Sequence, residues 1–282
     1  MNVRAVFVLV VTNLLFIAAP ASLAVPFSFS TGNPDGLIAT ASRPSSASKI
    51  EIETGDDFIL TNSTRITQAT ITGLLTGGTT AADLGNVRAE IYRVFPKDSA
   101  DPPSGNVPTR ENSPSDVAFQ ERESASSELS FSVSVLNNDF SAANSVINGI
   151  NKIPNQTTGG EGAVRGTEVL ITLTLSTPFD LPADHYFFIP QIEVSGGEFL
   201  WLSAPKPINS AEGTPFVPDL QSWIRDENLA PDWLRIGTDI TQQGPFNAAF
   251  TLDGALLIPE PPVLLLCVIG MYAMLRSCAR KA

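Results

Sequence analysis

The sequence predicts an all-β protein, an antiparallel β-sandwich for which the jelly roll is one version and a barrel the alternative. Three observations carry that reading. Apolar and hydroxyl residues alternate at period two in ELSFSVSVL, EVLITLTLS and FNAAFTL, the mark of strands with one buried and one solvated face. Gly and Pro are plentiful, at 20 and 22 of 282 residues, which favours short strands and many turns. Long helical periodicity is missing from the middle of the chain. An outer-membrane barrel fits poorly, because Ser and Thr occupy the faces that would meet lipid.

Taken in chain order, the strand candidates begin with KIEIE and DDFIL, then ITQATITGLL and VRAEIYRVF. Next, ELSFSVSVL sets Leu129, Phe131, Val133 and Val135 on one face. EVLITLTLS does the same with Val169, Ile171, Leu173 and Leu175. YFFIPQIEV, EFLWL and DWLRIG follow, and FNAAFTL closes with Phe246, Ala248, Phe250 and Leu252. Helix is expected only briefly. DFSAANSVINGI brings Phe140, Ala143, Ile147 and Ile150 roughly to one side, and DLQSWIRDENL is a second short candidate. Residues 96–128 hold five prolines and many Asp, Glu and Ser. So long a break predicts an excursion over the sandwich or hidden short strands.

Charge limits the partners. The chain carries a formal −12, and residues 25–258 hold 13 of the 17 Lys/Arg but 28 of the 29 Asp/Glu, a local balance of −15. Such a surface repels phosphate backbones, so nucleic acid is excluded as a partner. Cys267 and Cys278 are the two cysteines. Residues 25–258 therefore have no disulfide, no thiolate metal site and no Cys nucleophile.

Both ends are apolar. Arg4 precedes the run Ala5–Ala19, and Ser22 and Ala24 stand at −3 and −1 of a cut before Val25. Charge, apolar run and small residues in that order predict a secretory signal peptide at 1–24. A cut after Ala21 is the second choice. At the other end Val263–Leu275 holds 13 residues with no charge, fewer than the ~20 a helix needs to span a bilayer unaided. Apolar residues nevertheless coat every face of it. Pro261 and Pro262 fit a helix start. Arg276, Arg280 and Lys281 follow at once. They lengthen the span by snorkelling and hold the C-terminus in the cytoplasm. The chain thus divides into a signal peptide, an exported domain at 25–258 and a tail at 259–282.

Pro259-Glu260-Pro261, an apolar run and a basic tip, closing an exported chain, resemble the PEP-CTERM sorting signal. The resemblance covers about residues 259–282. It implies delivery by the Sec translocon and processing by signal peptidase. It further implies a transient stay in the inner membrane and recognition of Pro259, Glu260 and Pro261 by an exosortase that removes the tail. The end location would be the cell surface or an exopolysaccharide matrix, with extracellular polysaccharide as a partner. This tail departs from the family pattern in its single Gly270 and its spaced basic residues. NPDGLIAT, EIYRVFPKDS, PNQTTGGEG and LPADHYFFIPQIE are similar to stretches of exported proteins with this tail and no assigned activity. A plain C-terminal anchor is the competing reading.

Catalytic signals are weak. His185 is the single histidine, beside Asp184, so any Ser-His-Asp site must use it, and no G-x-S-x-G elbow occurs. Asp56 and Asp57 are adjacent and in a strand point to opposite faces. Asn33 and Asp35 could offer oxygens to Ca²⁺, although N-P-D-G is first a turn. No other cofactor is expected. Trp201, Trp223 and Trp233 fall in the last third. Trp223 and Trp233 are the candidates for a sugar-stacking platform, which would make the domain a carbohydrate-binding module. Against that, they fill the core or pin the Pro-rich stretch; Trp201, inside EFLWL, is expected to be buried.

Overall fold

The structure, a computed structural model, describes residues 25–100, 104–150, 157–205 and 220–257. Pro26–Leu257 is one compact unit, and it is all-β. In chain order the strands are β1 (Pro26–Ser30), β2 (Ile38–Ala41), β3 (Ile52–Leu60), β4 (Thr64–Leu75) and β5 (Leu84–Arg93). Then come β6 (Gln120–Glu123), β7 (Leu129–Ala142), β8 (Asn144–Val146), β9 (Val164–Leu181) and β10 (Asp184–Val194). The last are β11 (Phe199–Ala204), β12 (Trp223–Asp226), β13 (Leu234–Arg235), β14 (Asn247–Ala248) and β15 (Phe250–Leu256).

Two sheets result. One has nine strands: β1-β15-β4-β11-β2-β8 form a path, β9 lies on the other side of β4, β7 lies outside β9, and β14 pairs with β11. The other runs β13-β12-β3-β10-β5-β6. Every pairing is antiparallel except β2 with β8. The main core is drawn from both sheets. Ile66, Ile71, Val169, Ile171, Leu173 and Phe250 meet Phe58, Val87, Ile91, Tyr186 and Phe188. Trp201 is wholly buried among them. Its indole N–H donates to the Ala249 carbonyl at 2.9 Å, and its ring meets Phe188 and Phe250 edge-on.

The period-two runs fold as their patterns dictate. Val169, Ile171, Leu173 and Leu175 of β9 are all buried, while Thr174 and Ser176 between and beyond them are exposed. β9 is long because it bulges. Its register against β4 shifts between Ile66↔Phe179 and Gln68↔Thr174. Pro178 lies in that gap, where a missing ladder N–H costs least. At Gly73 of β4 the chain needs no side chain: a Cβ there would run into the Phe199 ring and lie 2.7 Å from the Leu200 carbonyl oxygen.

Both helix expectations are overturned. Phe140–Ala142 ladder with Val164–Gly166 as the end of β7, and β8 pairs in parallel with β2. Buried Ala142 and Val146 flank half-buried Asn144, so the apolar spacing there serves a strand. Ser, Asn, Val and Ile are middling helix formers and do not resist the ladder. In DLQSWIRDENL, Trp223–Asp226 pairs with Ile52–Gly55 as β12. A turn follows, in which the Asp226 carboxylate accepts from Leu229 N–H at 2.8 Å. DWLRIG is half right, since β13 is followed by a single π-helical turn at Ile236–Ile240.

Candidate functional site

Ala24, Pro259, Glu260, Pro261, Arg276, Arg280, Lys281 and the run Val263–Leu275 lie outside the described residues. No helix among the described residues is long and apolar enough to cross a membrane. Val25, the expected first residue after the cut, is exposed and directly precedes β1. The ends of the domain meet. β1 pairs with β15 in the register Pro26↔Ala255 to Ser30↔Thr251, so its first and last strands finish side by side. A shallow crevice lined by Phe27, Phe29, Ile59, Asn62, Thr64 and Leu256 opens at that corner.

The sugar platform is corrected. Trp223 and Trp233 are both 0 % exposed, so neither ring has a face to offer a pyranose. They pack instead on the outer face of the six-stranded sheet, with Tyr92, Phe187, Ile189 and Leu220. The Pro-rich stretch covers them: Trp233 donates its indole N–H to the Ser115 carbonyl at 3.0 Å. Trp223 therefore fills the apolar cluster and Trp233 pins the loop, the competing reading in the sequence.

That outer face holds a network of charges that strand alternation sent outward. Glu53 of β3 receives the Tyr92 hydroxyl at 2.7 Å and the Arg225 guanidinium through both its oxygens. Arg225, from β12, also donates to the Asp116 carbonyl at 3.0 Å and lies 4.3 Å over the Trp233 ring. Arg110, within the loop, donates to Ser113 at 2.9 Å, Asp232 at 3.1 Å, the Pro114 carbonyl at 3.0 Å and Asp116 at 2.8 Å. Planar forks with several fixed donors suit this task, because each orients a backbone segment as well as a charge. Residues 104–119 are thus a strapped loop that leads into the short strand β6.

Glu90 of β5 is the odd member. It is 4 % exposed, and its Oε2 has no partner among the described residues. Burial, and then the charge of Glu53, push its carboxyl well above the usual range, with Arg88 pulling the other way. Burial and the charges of Glu53 and Glu90 raise the Tyr92 phenol as well. On the inner face Asp56 is raised by burial first and Asp57 second. It accepts from Ser222 at 3.0 Å and from Ala248 N–H at 2.9 Å.

His185 sits in β10, paired through Nε2 with Asp57 Oδ2 at 2.8 Å and stacked at 6.3 Å on Phe187. Asp56 and Asp57 do point to opposite faces. The dyad has an orienting carboxylate, but among the described residues no hydroxyl hydrogen-bonds the ring, so the nucleophile position of a triad is unfilled. Asp35 spends its carboxylate on the turn, accepting from Leu37 N–H at 2.9 Å and from Ser203 at 2.5 Å. No group of three or more His, Cys, Asp or Glu among the described residues is placed to hold a metal ion.

Sequence reasoning missed this network. KIEIE reads as a strand and DLQSWIRDENL as a short helix, and neither reading singles out Glu53 or Arg225. The available signal was Trp223 and Arg225 at period two beside a Pro-rich acidic stretch. No family model, curated protein or solved structure shows a significant match to this chain.

Proposed function

We propose that the chain is an exported protein of the cell surface or exopolysaccharide matrix. It is delivered by Sec, cut before Val25, held briefly by the apolar run Val263–Leu275, and sorted through Pro259-Glu260-Pro261 by an exosortase. The reading rests on the order of the parts in the sequence: signal, acidic cysteine-free domain, tripeptide, apolar run, basic tip. The logic is that of a hydrophobic tail that is temporary and leaves no span in the mature protein. Pro259 and Pro261 disfavour both helix interior and central strand, and Glu260 is the charge available between them for recognition.

The domain suits that role. We read its two sheets as the layers of a β-sandwich, supported by the core they share. Pairing of β1 with β15 sets Pro26 beside Ala255, so the domain's two ends lie together at one corner, and a tether attached at either end need not disturb its sheets. Arg–carboxylate pairs and apolar packing hold the fold together without disulfides.

The test is the intact mass of the mature protein from its own host. A chain beginning at Val25 and ending near residue 260 is expected. A chain that keeps Arg276–Ala282 overturns the reading. Glu260→Ala is expected to leave the tail in place, with the full-length chain accumulating in the membrane fraction.

A further inference from the structure

The edges of the two sheets are treated unequally. β6 ends the six-stranded sheet with four residues, QERE, three of them charged, and β13 ends it on the other side with two. In the nine-stranded sheet β8 has three residues, and β1 has five and opens with Pro26. Short length, charge and proline are the usual means of stopping an edge from pairing with another chain. β7 has none of them over its first ten residues. It is 14 residues long, and among the described residues its ladder partner is β9 alone. From Leu129 to Asn138 it carries neither charge nor proline. Among the described residues its Leu129–Val135 backbone N–H and C=O groups facing away from β9 have no partner strand.

The exposed strip has a definite chemistry. On one face Phe131 and Val133 are half-buried against the core, and Val135 is 54 % exposed. On the other face Ser130, Ser132 and Ser134 are exposed. They stand beside Thr174, Thr172 and Leu170 of β9. The regular ladder runs from Leu129 to Val135 and stops at a bulge at Leu136.

We propose that β7 is the interface through which two copies of this chain pair, edge to edge and antiparallel, about a two-fold axis at Ser132. That register sets Ser132 against itself, Ser130 against Ser134, Phe131 against Val133, and Leu129 against Val135. Hydroxyls meet hydroxyls and apolar groups meet apolar groups, and the match spans the regular ladder from its start to the bulge. Opposed residues have the same parity, so outward backbone groups of one copy face those of the other. Shifting the register by one residue would set every serine against an apolar side chain. Charge selects a copy over another partner. In a chain of net charge −12, a partner recruited by electrostatics would meet the acidic surface, whereas this strip is neutral and complements itself. An isologous contact of this kind closes at the dimer.

The test uses the full chain in a mild detergent, by sedimentation across a range of concentration and salt. A dimer is expected, tighter at high salt, because salt screens repulsion between acidic copies. Ser132→Asp opposes like charges on the axis and is expected to give a monomer with an unchanged circular dichroism spectrum. In a chain with Cys267→Ser and Cys278→Ser, Ser132→Cys is expected to form a disulfide-linked dimer on mild oxidation. Ser63→Cys, on the β3–β4 connection, is not. A monomer at every concentration overturns the proposal and leaves the edge to another segment or a foreign strand. So does a dimer that Ser132→Asp leaves intact, or one that Ser132→Cys fails to cross-link.

Discussion

The six-stranded sheet is buried on both faces, by opposite means. Its inner face is apolar: Phe58, Leu60, Val87, Ile91, Tyr186 and Phe188 interlock with the other sheet. Its outer face buries Glu53, Glu90 and Arg225 beside Trp223 and Trp233. Apolar packing is non-directional and rewards any side chain of the right volume. A buried ion pair is directional, and it rewards one placement of one loop. The inner face thus supplies stability, and the outer face fixes where residues 104–119 lie.

Removing one charge from the outer face tests that division most severely. Arg225→Met leaves Glu53 buried with only the Tyr92 hydroxyl, and such breaks cost about 3–5 kcal/mol. The urea midpoint should fall accordingly. Adding Glu53→Leu should restore much of the loss, because an apolar pair of similar volume often matches a buried ion pair. If the double variant stays as weak as the single one, specificity and stability are not separable here.

The tryptophans give the next contrast. Trp201→Ala and Trp233→Ala should each cost about 3–5 kcal/mol. Only the second should loosen the loop, seen as rapid trypsin cleavage after Arg110 under native conditions. Equal protection of Arg110 in both variants would refute the assigned role of Trp233.

A smaller effect comes from titration. Glu90 and Asp56 both have raised folded-state pKa values, so the folded state binds protons the unfolded state releases. Their contribution is therefore fully present below the ordinary carboxylate range and is lost as pH rises through the raised values. Each pH unit inside that window removes at most about 1.4 kcal/mol per group. Asp98, Asp116 and Asp184 are lowered instead: Asp98 by Arg93, and, against the opposing effect of burial, Asp116 by the Ala100 N–H and Arg110 and Asp184 by Lys97. They lose stability as pH falls through their lowered values, so the two sets pull the optimum toward mild acidity. Glu90→Gln should flatten the alkaline side of the stability–pH curve and leave the acid side unchanged.

Ile171→Val, in the centre of β9, should cost about 0.5–1.5 kcal/mol, the price of one buried methylene group. Asp139→Asn removes the exposed pair with Arg165 and should leave the urea midpoint where it was, since solvent already screens such pairs.

These contrasts also explain what the sequence discloses. Alternation in ELSFSVSVL, EVLITLTLS and FNAAFTL located β7, β9 and the β14–β15 region, because burial on one face imposes period two on any strand. The same rule failed at DLQSWIRDENL, where Trp223 and Arg225 face one way and both are buried. Burial on both faces erases the alternation, and a charged residue then reads as solvent-facing. Glu53 and Arg225 lie 172 positions apart, and nothing local announces a partner at that distance. The sorting features are different in kind. As proposed here, they rest on a linear order of segments in the sequence alone, so reading them needs no fold.

The place of β15 carries a consequence in time. It lies between β1 and β4, yet among the described residues it is the last strand made. A chain that emerges N-terminus first, from a ribosome or through a pore, holds β1 without its β15 partner and Thr64–Ile71 of β4 open on one flank until Leu256 has cleared the exit. Phe250 arrives with it and packs its ring on Phe29, Phe188 and Trp201. The part of the core that β15 covers therefore closes last, after the end of the domain has left the exit.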